Sequence, residues 1–231
     1  MGKSRKSQGG TNSSKEKTYH SRATGNDVPL GDFTEEEMEH FLAKVETWLQ
    51  GFAKSPDYHL TDEELDYIFS HFDFSEESPE VLDGHLYRIE PSHHFELKNY
   101  KVGDTLYGDS ALRSFSKEIG ATNKMLDQTW AEDNDIVIYR TMGNVPFFNA
   151  TKYVNPYPYQ KEVFVPLDTM KIKGIHTFSG ENMPSELYEQ YGLELGDSYY
   201  SASEVTVVDV AYNPEVKSVI DYRGHSVPIK R

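Results

Sequence analysis

The hydrophobic periodicity of this chain changes character near Gly84, and that change constrains the fold more than any total. Thr34-Glu35-Glu36-Glu37 has the form of a capping box, and Phe33 with Met38 fits a hydrophobic staple. Met38, Phe41, Leu42, Val45, Trp48, Leu49 and Phe52 then recur at helical spacing. A second box, Thr61-Asp62-Glu63-Glu64, stapled by Leu60 and Leu65, is followed by Ile68, Phe69 and Phe72, so a second amphipathic helix is predicted. The acids of both boxes sit where first-turn charge complements the helix dipole, so they are read as structural, not catalytic. After Gly84 the apolar residues fall into short β-like runs: His85 to Ile89, Ile136 to Thr141, Glu162 to Pro166, Met170 to His176, Glu204 to Ala211 and Val216 to Tyr222. Short helices are expected at Ser110 to Glu118, Asn123 to Trp130 and Ser185 to Tyr191. Helices that precede a set of strands give the α+β class, with leading helices packed on a mixed β-sheet.

Charge and composition divide the chain further. Its 231 residues suit one domain with a good core plus an accessory segment. Residues 1 to 31 carry Lys3, Arg5, Lys6, Lys15, Lys17 and Arg22 against Glu16 and Asp27, and have few large apolar side chains. Such a segment gains little by ordering, so a disordered basic arm is expected over 1–31, either a tether to anionic partners or a plain solvated tail. The domain proper is expected at 32–231, with a helical lead at 32–80 and a sheet at 84–231. The formal net charge of −15 argues against strong nucleic-acid binding, because polyanions are repelled. The absence of cysteine excludes disulfides, zinc thiolates and thiol catalysis. No apolar run approaches the roughly 18 residues that span a bilayer, and the start has no apolar signal core, so a soluble protein without a classical signal peptide is expected.

The familiar catalytic motifs are absent: there is no phosphate-binding P-loop, GxGxxG, HExxH or GxSxG elbow. His93-His94 does not form a metal site, because adjacent residues on a strand point to opposite faces. Three separated elements remain, in this order: Leu86-Tyr87-Arg88, Ser114-Phe115-Ser116 and Gln160-Lys161-Glu162. With them the chain resembles the mono-ADP-ribosyltransferase exoenzymes of the Arg-Ser-Glu class, which include clostridial toxins and phage enzymes. The likeness runs roughly from Gly84 to Tyr222. Phe115 stands where that family has Thr, and the gap from Arg88 to Ser114 is short.

The resemblance implies an NAD⁺-dependent enzyme that releases nicotinamide and transfers ADP-ribose to a protein side chain. Alternatives are an NAD⁺ glycohydrolase of the same fold, or a non-catalytic virion or binding protein. NAD⁺ is the implied cofactor, with no metal, and the partner is a protein substrate, met by a monomer. The setting is cytoplasmic, that of the host if the enzyme is phage-encoded, or secreted by a signal-peptide-independent route. Breaking the nicotinamide–ribose bond creates an oxocarbenium-like centre that a fixed carboxylate stabilises, and Glu162 is the candidate. Otherwise it is a surface strand acid. Arg88, with Tyr87 beside it, would bind the pyrophosphate through its planar fork, or else form a buried salt bridge. Ser114 would orient Glu162, and Ser116 would support the strand or the nicotinamide pocket; ordinary turn or strand chemistry is the alternative for both. Gln160, two residues before Glu162, would share its face and meet the acceptor. By the family pattern, Gln there disfavours arginine as the acceptor. Tyr157 and Tyr159 would contact the protein substrate or pack their loop, and Trp130 or Phe147 would stack on nicotinamide.

Overall fold

The computed structural model describes residues 16–50, 56–91, 99–106, 111–120, 136–158, 160–166, 169–179 and 204–229. Both capping boxes form. Helix α1 (Glu35–Leu49) starts from Thr34, whose hydroxyl accepts from the Glu37 N–H while the Glu37 carboxylate accepts from the Thr34 N–H at 2.8 Å. Helix α2 (Asp62–Ser70) repeats the arrangement with Thr61 and Glu64. The face of α1 carrying Met38, Phe41, Leu42, Val45 and Leu49 is buried, as its spacing requires.

Nearly all the β-like runs become strands. The main sheet has six: β4 (Tyr87–Pro91), β5 (Arg113–Ser116), β6 (Ile136–Met142), β8 (Glu162–Val165), β9 (Met170–Ser179) and β10 (Glu204–Tyr212). Their order is β8-β5-β4-β6-β10-β9. Only β6 and β10 pair in parallel, so the sheet is mixed. Two short strands, β3 (Asp73–Phe74) and β7 (Pro146–Phe147), pair antiparallel beside it. The run at Val216 to Tyr222 narrows to β11 (Ser218–Ile220), in a hairpin with β12 (Ser226–Pro228). The architecture is α+β, as the change of periodicity implied.

Strand β8 explains how the layers meet. Phe164 belongs to the apolar cluster shared with α1 and α2, whereas Val163 and Val165 belong to the cluster on the other face. Alternation sends successive side chains to opposite faces, so a strand covered on both sides reads as a continuous apolar run. Trp48 of α1 meets the Phe164 ring edge-on at 4.8 Å, and Phe148 stacks on it at 6.2 Å. A backbone bridge between Phe148 and Phe164 ties the same two segments.

Two expectations change. Ser110 to Glu118 was expected to be helical, yet Arg113–Ser116 is β5, because its backbone is claimed by β4 on one side and β8 on the other. The expectation of a disordered arm over 1–31 does not hold from residue 16 onward. From residue 16 the chain is described, and β1 (Thr18–His20) pairs with β2 (Asp27–Pro29). Val28 and Leu30 are buried in the helical cluster, and the Ser21 hydroxyl donates to the Tyr153 carbonyl at 2.6 Å. Averaging over the segment hid these few apolar side chains, which suffice to anchor a hairpin. Residues 1–15, His93-His94, Trp130, Tyr159 and the helices expected at 123–130 and 185–191 lie outside the described residues.

Replacing fully buried Phe41 should therefore cost far more than removing a cap. Phe41→Ala is expected to lower stability by about 3–5 kcal/mol and Thr61→Ala by about 1 kcal/mol, read as shifts of the urea midpoint at constant slope.

Candidate active site

The register of the sheet builds the site. Glu162 opens β8, opposite Ser116 of β5, and Ser114 lies opposite Phe164. Opposed residues share a face, so Ser114, Ser116, Glu162 and Phe164 all project toward the helical layer. Phe164, anchored against Trp48, fixes the strand two residues from Glu162. The Ser114 hydroxyl then donates to Glu162 Oε1 at 2.7 Å. The other carboxylate oxygen accepts no hydrogen bond from any described residue.

Burial raises the Glu162 carboxyl to about 7, while the Ser114 hydrogen bond and the charge of Arg88 pull the other way. Desolvation disfavours the charged form, and one hydroxyl and one cation only partly offset it. A carboxylate poised near neutrality is what a group needs if it is to respond to positive charge arising beside it.

Arg88 is close enough for its charge to act on Glu162 but reaches it indirectly. Pairing with Tyr139 places Arg88 on the sheet face opposite that of the Ser116–Glu162 pair. One Nη donates to the Ser114 carbonyl at 2.9 Å, and Nε and the other Nη both meet Glu90 Oε2 at 3.1 Å. The salt-bridge alternative weighed for Arg88 is therefore present, with Glu90 as partner. Tyr139 also hydrogen-bonds Glu90, and its buried hydroxyl titrates far above the ordinary tyrosine range, burial being the largest cause. Tyr87, expected to help bind the cofactor, is 2% exposed and its hydroxyl donates to Asp83. It is part of the core, not a wall of an open cleft.

Gln160 departs from the expected geometry. It lies in a turn closed by its own N–H donating to the Tyr157 carbonyl at 2.9 Å, and β8 begins only at Glu162. Lys161 between them has φ +47°, the left-handed region that a non-glycine residue enters at a cost of order 1 kcal/mol. The two-residue strand rule that would place Gln160 and Glu162 on one face does not hold across such a residue. Gln160 is also 8% exposed, whereas Tyr157 beside it is open to solvent. Ser116 proves to be a clamp: its hydroxyl lies 2.7 Å from the Gln160 carbonyl and 2.8 Å from that of Glu118. Phe147 cannot stack on a ligand, because it is fully buried in β7 against Val145, Val163 and Val165.

Sequence reasoning did not find Glu90, although an acid two residues from Arg88 on one strand was a legible signal. Two other polar groupings carry less. A trough of about 910 Å³ between the starts of α1 and α2 is lined by Asp32, Glu36, Glu37, Glu63 and Glu64. That charge would repel a dinucleotide, and Glu37 and Glu64 are committed to caps. Asp62, Asp221 and His225 come together as metal ligands would, but Arg223 bridges the two carboxylates as their counter-ion.

No family model matches the chain, and no curated protein does. Among solved structures it is similar to Vis, an ADP-ribosyltransferase crystallised with agmatine, at 12% identity and a TM-score of 0.36, over 80% of this chain and 77% of that one. It is also similar to Plx2a, an ADP-ribosyltransferase toxin from Paenibacillus larvae, at 16% identity and a TM-score of 0.37, over 78% of this chain and 87% of that one. At these values the assignment rests on the geometry of the chain itself. No helix among the described residues is long and apolar enough to cross a membrane.

The Glu162 environment has a thermodynamic signature. A carboxyl raised in the folded state to about 7 from its ordinary value of 4.5 binds more protons folded than unfolded, so its contribution to stability falls as pH rises through that window. Glu162→Gln cannot ionise and loses nothing there. The melting temperature of the variant should gain on that of the parent from pH 5 to pH 8; a constant difference would show that burial does not act on Glu162.

Proposed function

We propose that the protein is an NAD⁺-dependent mono-ADP-ribosyltransferase in which Glu162 is the catalytic carboxylate. The observation that carries this reading is the half-buried Glu162 carboxylate, oriented by Ser114 through one oxygen, with Arg88 near enough to act on it.

Cleavage of the nicotinamide–ribose bond moves positive charge onto the ribose as neutral nicotinamide leaves. A carboxylate in a desolvated setting stabilises that charge more strongly in the transition state than in the ground state, where the cation sits on the nicotinamide ring. Glu162 Oε1 is held by Ser114, so the remaining oxygen faces the sugar and takes a ribose hydroxyl. Ser114 is thus a positioning residue: without it the carboxylate loses its fixed rotamer. The NAD⁺ site would be completed by Arg88, whose side chain starts on the other sheet face but reaches the Ser114 carbonyl, so that its guanidinium binds a phosphate oxygen at the sheet edge beside Glu90 or in its place. Tyr157, exposed at the lip, would contact the protein acceptor, and Gln160 beneath it would orient the acceptor side chain that enters. The Gln at this position favours acceptors other than arginine. Among the described residues the arrangement supplies donors for anionic phosphates and a carboxylate for the sugar, without requiring a metal.

Three substitutions separate these roles. Glu162→Gln is expected to reduce both protein labelling and NAD⁺ hydrolysis by about 10²-fold or more, the usual loss for one preorganised electrostatic contact, with little change in NAD⁺ affinity. Arg88→Ala should raise the NAD⁺ KM, and Arg88→Lys should recover only part of it, because an ammonium lacks the planar fork. Gln160→Ala should lose labelling while hydrolysis persists. Transfer of radiolabel from NAD⁺ to protein and release of nicotinamide, measured together, check all three; turnover that survives Glu162→Gln would reject the assignment.

A further inference from the structure

The end of β5 grips the turn before Glu162 from three directions. The Ser116 hydroxyl donates toward the Gln160 carbonyl at 2.7 Å, and the Lys117 N–H donates to the Lys161 carbonyl at 3.2 Å. The Lys161 ammonium pairs with the Glu118 carboxylate. The gripped residue is Lys161, the one non-glycine residue with positive φ among those described. An L-residue persists in that region only where its surroundings over-determine it. Lys117 itself is not available for this pairing, because its buried ammonium is committed to Glu80, Asn149 and Thr151.

We propose that Glu118 and Lys161 form an ionic latch that holds the turn at Gln160 in its left-handed geometry, making Glu118 a positioning residue for the acceptor side of the site. The latch bridges Glu118, two residues past the end of β5, to the residue between Gln160 and Glu162. Its opening frees the Lys161 dihedral to relax toward the extended region. That rotation turns the Gln160 carbonyl away from Ser116 and the Gln160 side chain out of its buried position, while Glu162 stays held by Ser114 and the β8 ladder. The latch therefore affects which nucleophile meets the ribose more than it affects NAD⁺ cleavage. This consequence for transfer rests on the ADP-ribosyltransferase reading; the latch itself does not.

Both partners are partly solvated, so the effect is modest and sensitive to salt. In the full-length protein, Glu118→Gln removes the charge and keeps the shape. Amide hydrogen exchange in the peptide spanning residues 157–163 should speed up by roughly twofold to fivefold, the range for a partly exposed ion pair. The difference should vanish in 1 M salt. Lys161→Arg should exchange like the parent. Lys161→Gly, which relieves the backbone strain but has no ammonium, should exchange as fast as Glu118→Gln or faster. Equal exchange in parent and Glu118→Gln overturns the latch, whatever the enzyme does. In the activity arm, Glu118→Gln should lower the ratio of protein labelling to nicotinamide release by the same roughly twofold to fivefold factor, with the NAD⁺ KM unchanged. Faster exchange with an unaltered ratio overturns the positioning role. Failure of the parent protein to release nicotinamide rejects the enzymatic reading instead, and leaves the exchange comparison to decide the latch.

Discussion

Phe164 meets Trp48 edge-on and Phe148 face-on, and the candidate site depends on where these rings hold β8. An edge strand of four residues is free to slip, since a shift of one residue exchanges its faces. Here such a slip would drive Phe164 out of the helical cluster and Val163 into it, exchanging an aromatic anchor for a smaller side chain. The register that avoids this puts Glu162 on the same face as Ser114 and Ser116, within hydrogen-bond reach of the first. The capping boxes contribute at one remove, because they fix where α1 begins and so which turn of it brings Trp48 over the sheet.

The electrostatics follow from that placement. Burial raises the Glu162 carboxyl, and the single hydroxyl and nearby guanidinium provided for it leave one oxygen without a donor among the described residues. A carboxylate satisfied by several backbone N–H groups would be depressed instead, and would respond weakly to a developing cation. Arg88 is restrained by Glu90 and the Ser114 carbonyl, so its orientation is set before any anion arrives. The price of that preorganisation is a local charge already half neutralised, which makes phosphate binding an exchange between carboxylate and phosphate, not a simple capture.

Much of this was legible in the residues. Helical spacing after Thr34 and Thr61, and apolar runs at Ile136, Glu162, Met170 and Glu204, describe elements whose local preference agrees with their tertiary fate. The segment around Ser114 was ambiguous because Ala111 to Lys117 lacks a clear period of either kind, and its strand character comes from neighbours distant in sequence. Ser114 and Glu162 were paired from motif order, and the structure brings them together. Gln160 was misplaced for a local reason: the strand rule was extended through Lys161, and nothing in Gln-Lys-Glu announces a left-handed residue. The salt-bridge alternative for Arg88 required an acid, and Glu90, two residues along the same strand, is that acid, although the residues alone did not single it out. The hairpin at Thr18 to Pro29 was lost in the averaged composition of the arm.

In the proposed reaction one desolvated carboxylate, Glu162, governs cleavage of NAD⁺. The most direct test is the rate of nicotinamide release by the intact protein, at saturating NAD⁺, across pH 5 to 9. The raised carboxyl must be ionised to stabilise the sugar cation, so release should climb with a single limb that levels off above about 7. Release that is absent throughout, or that is already level at pH 5 as for an ordinary exposed carboxylate, would contradict the claim.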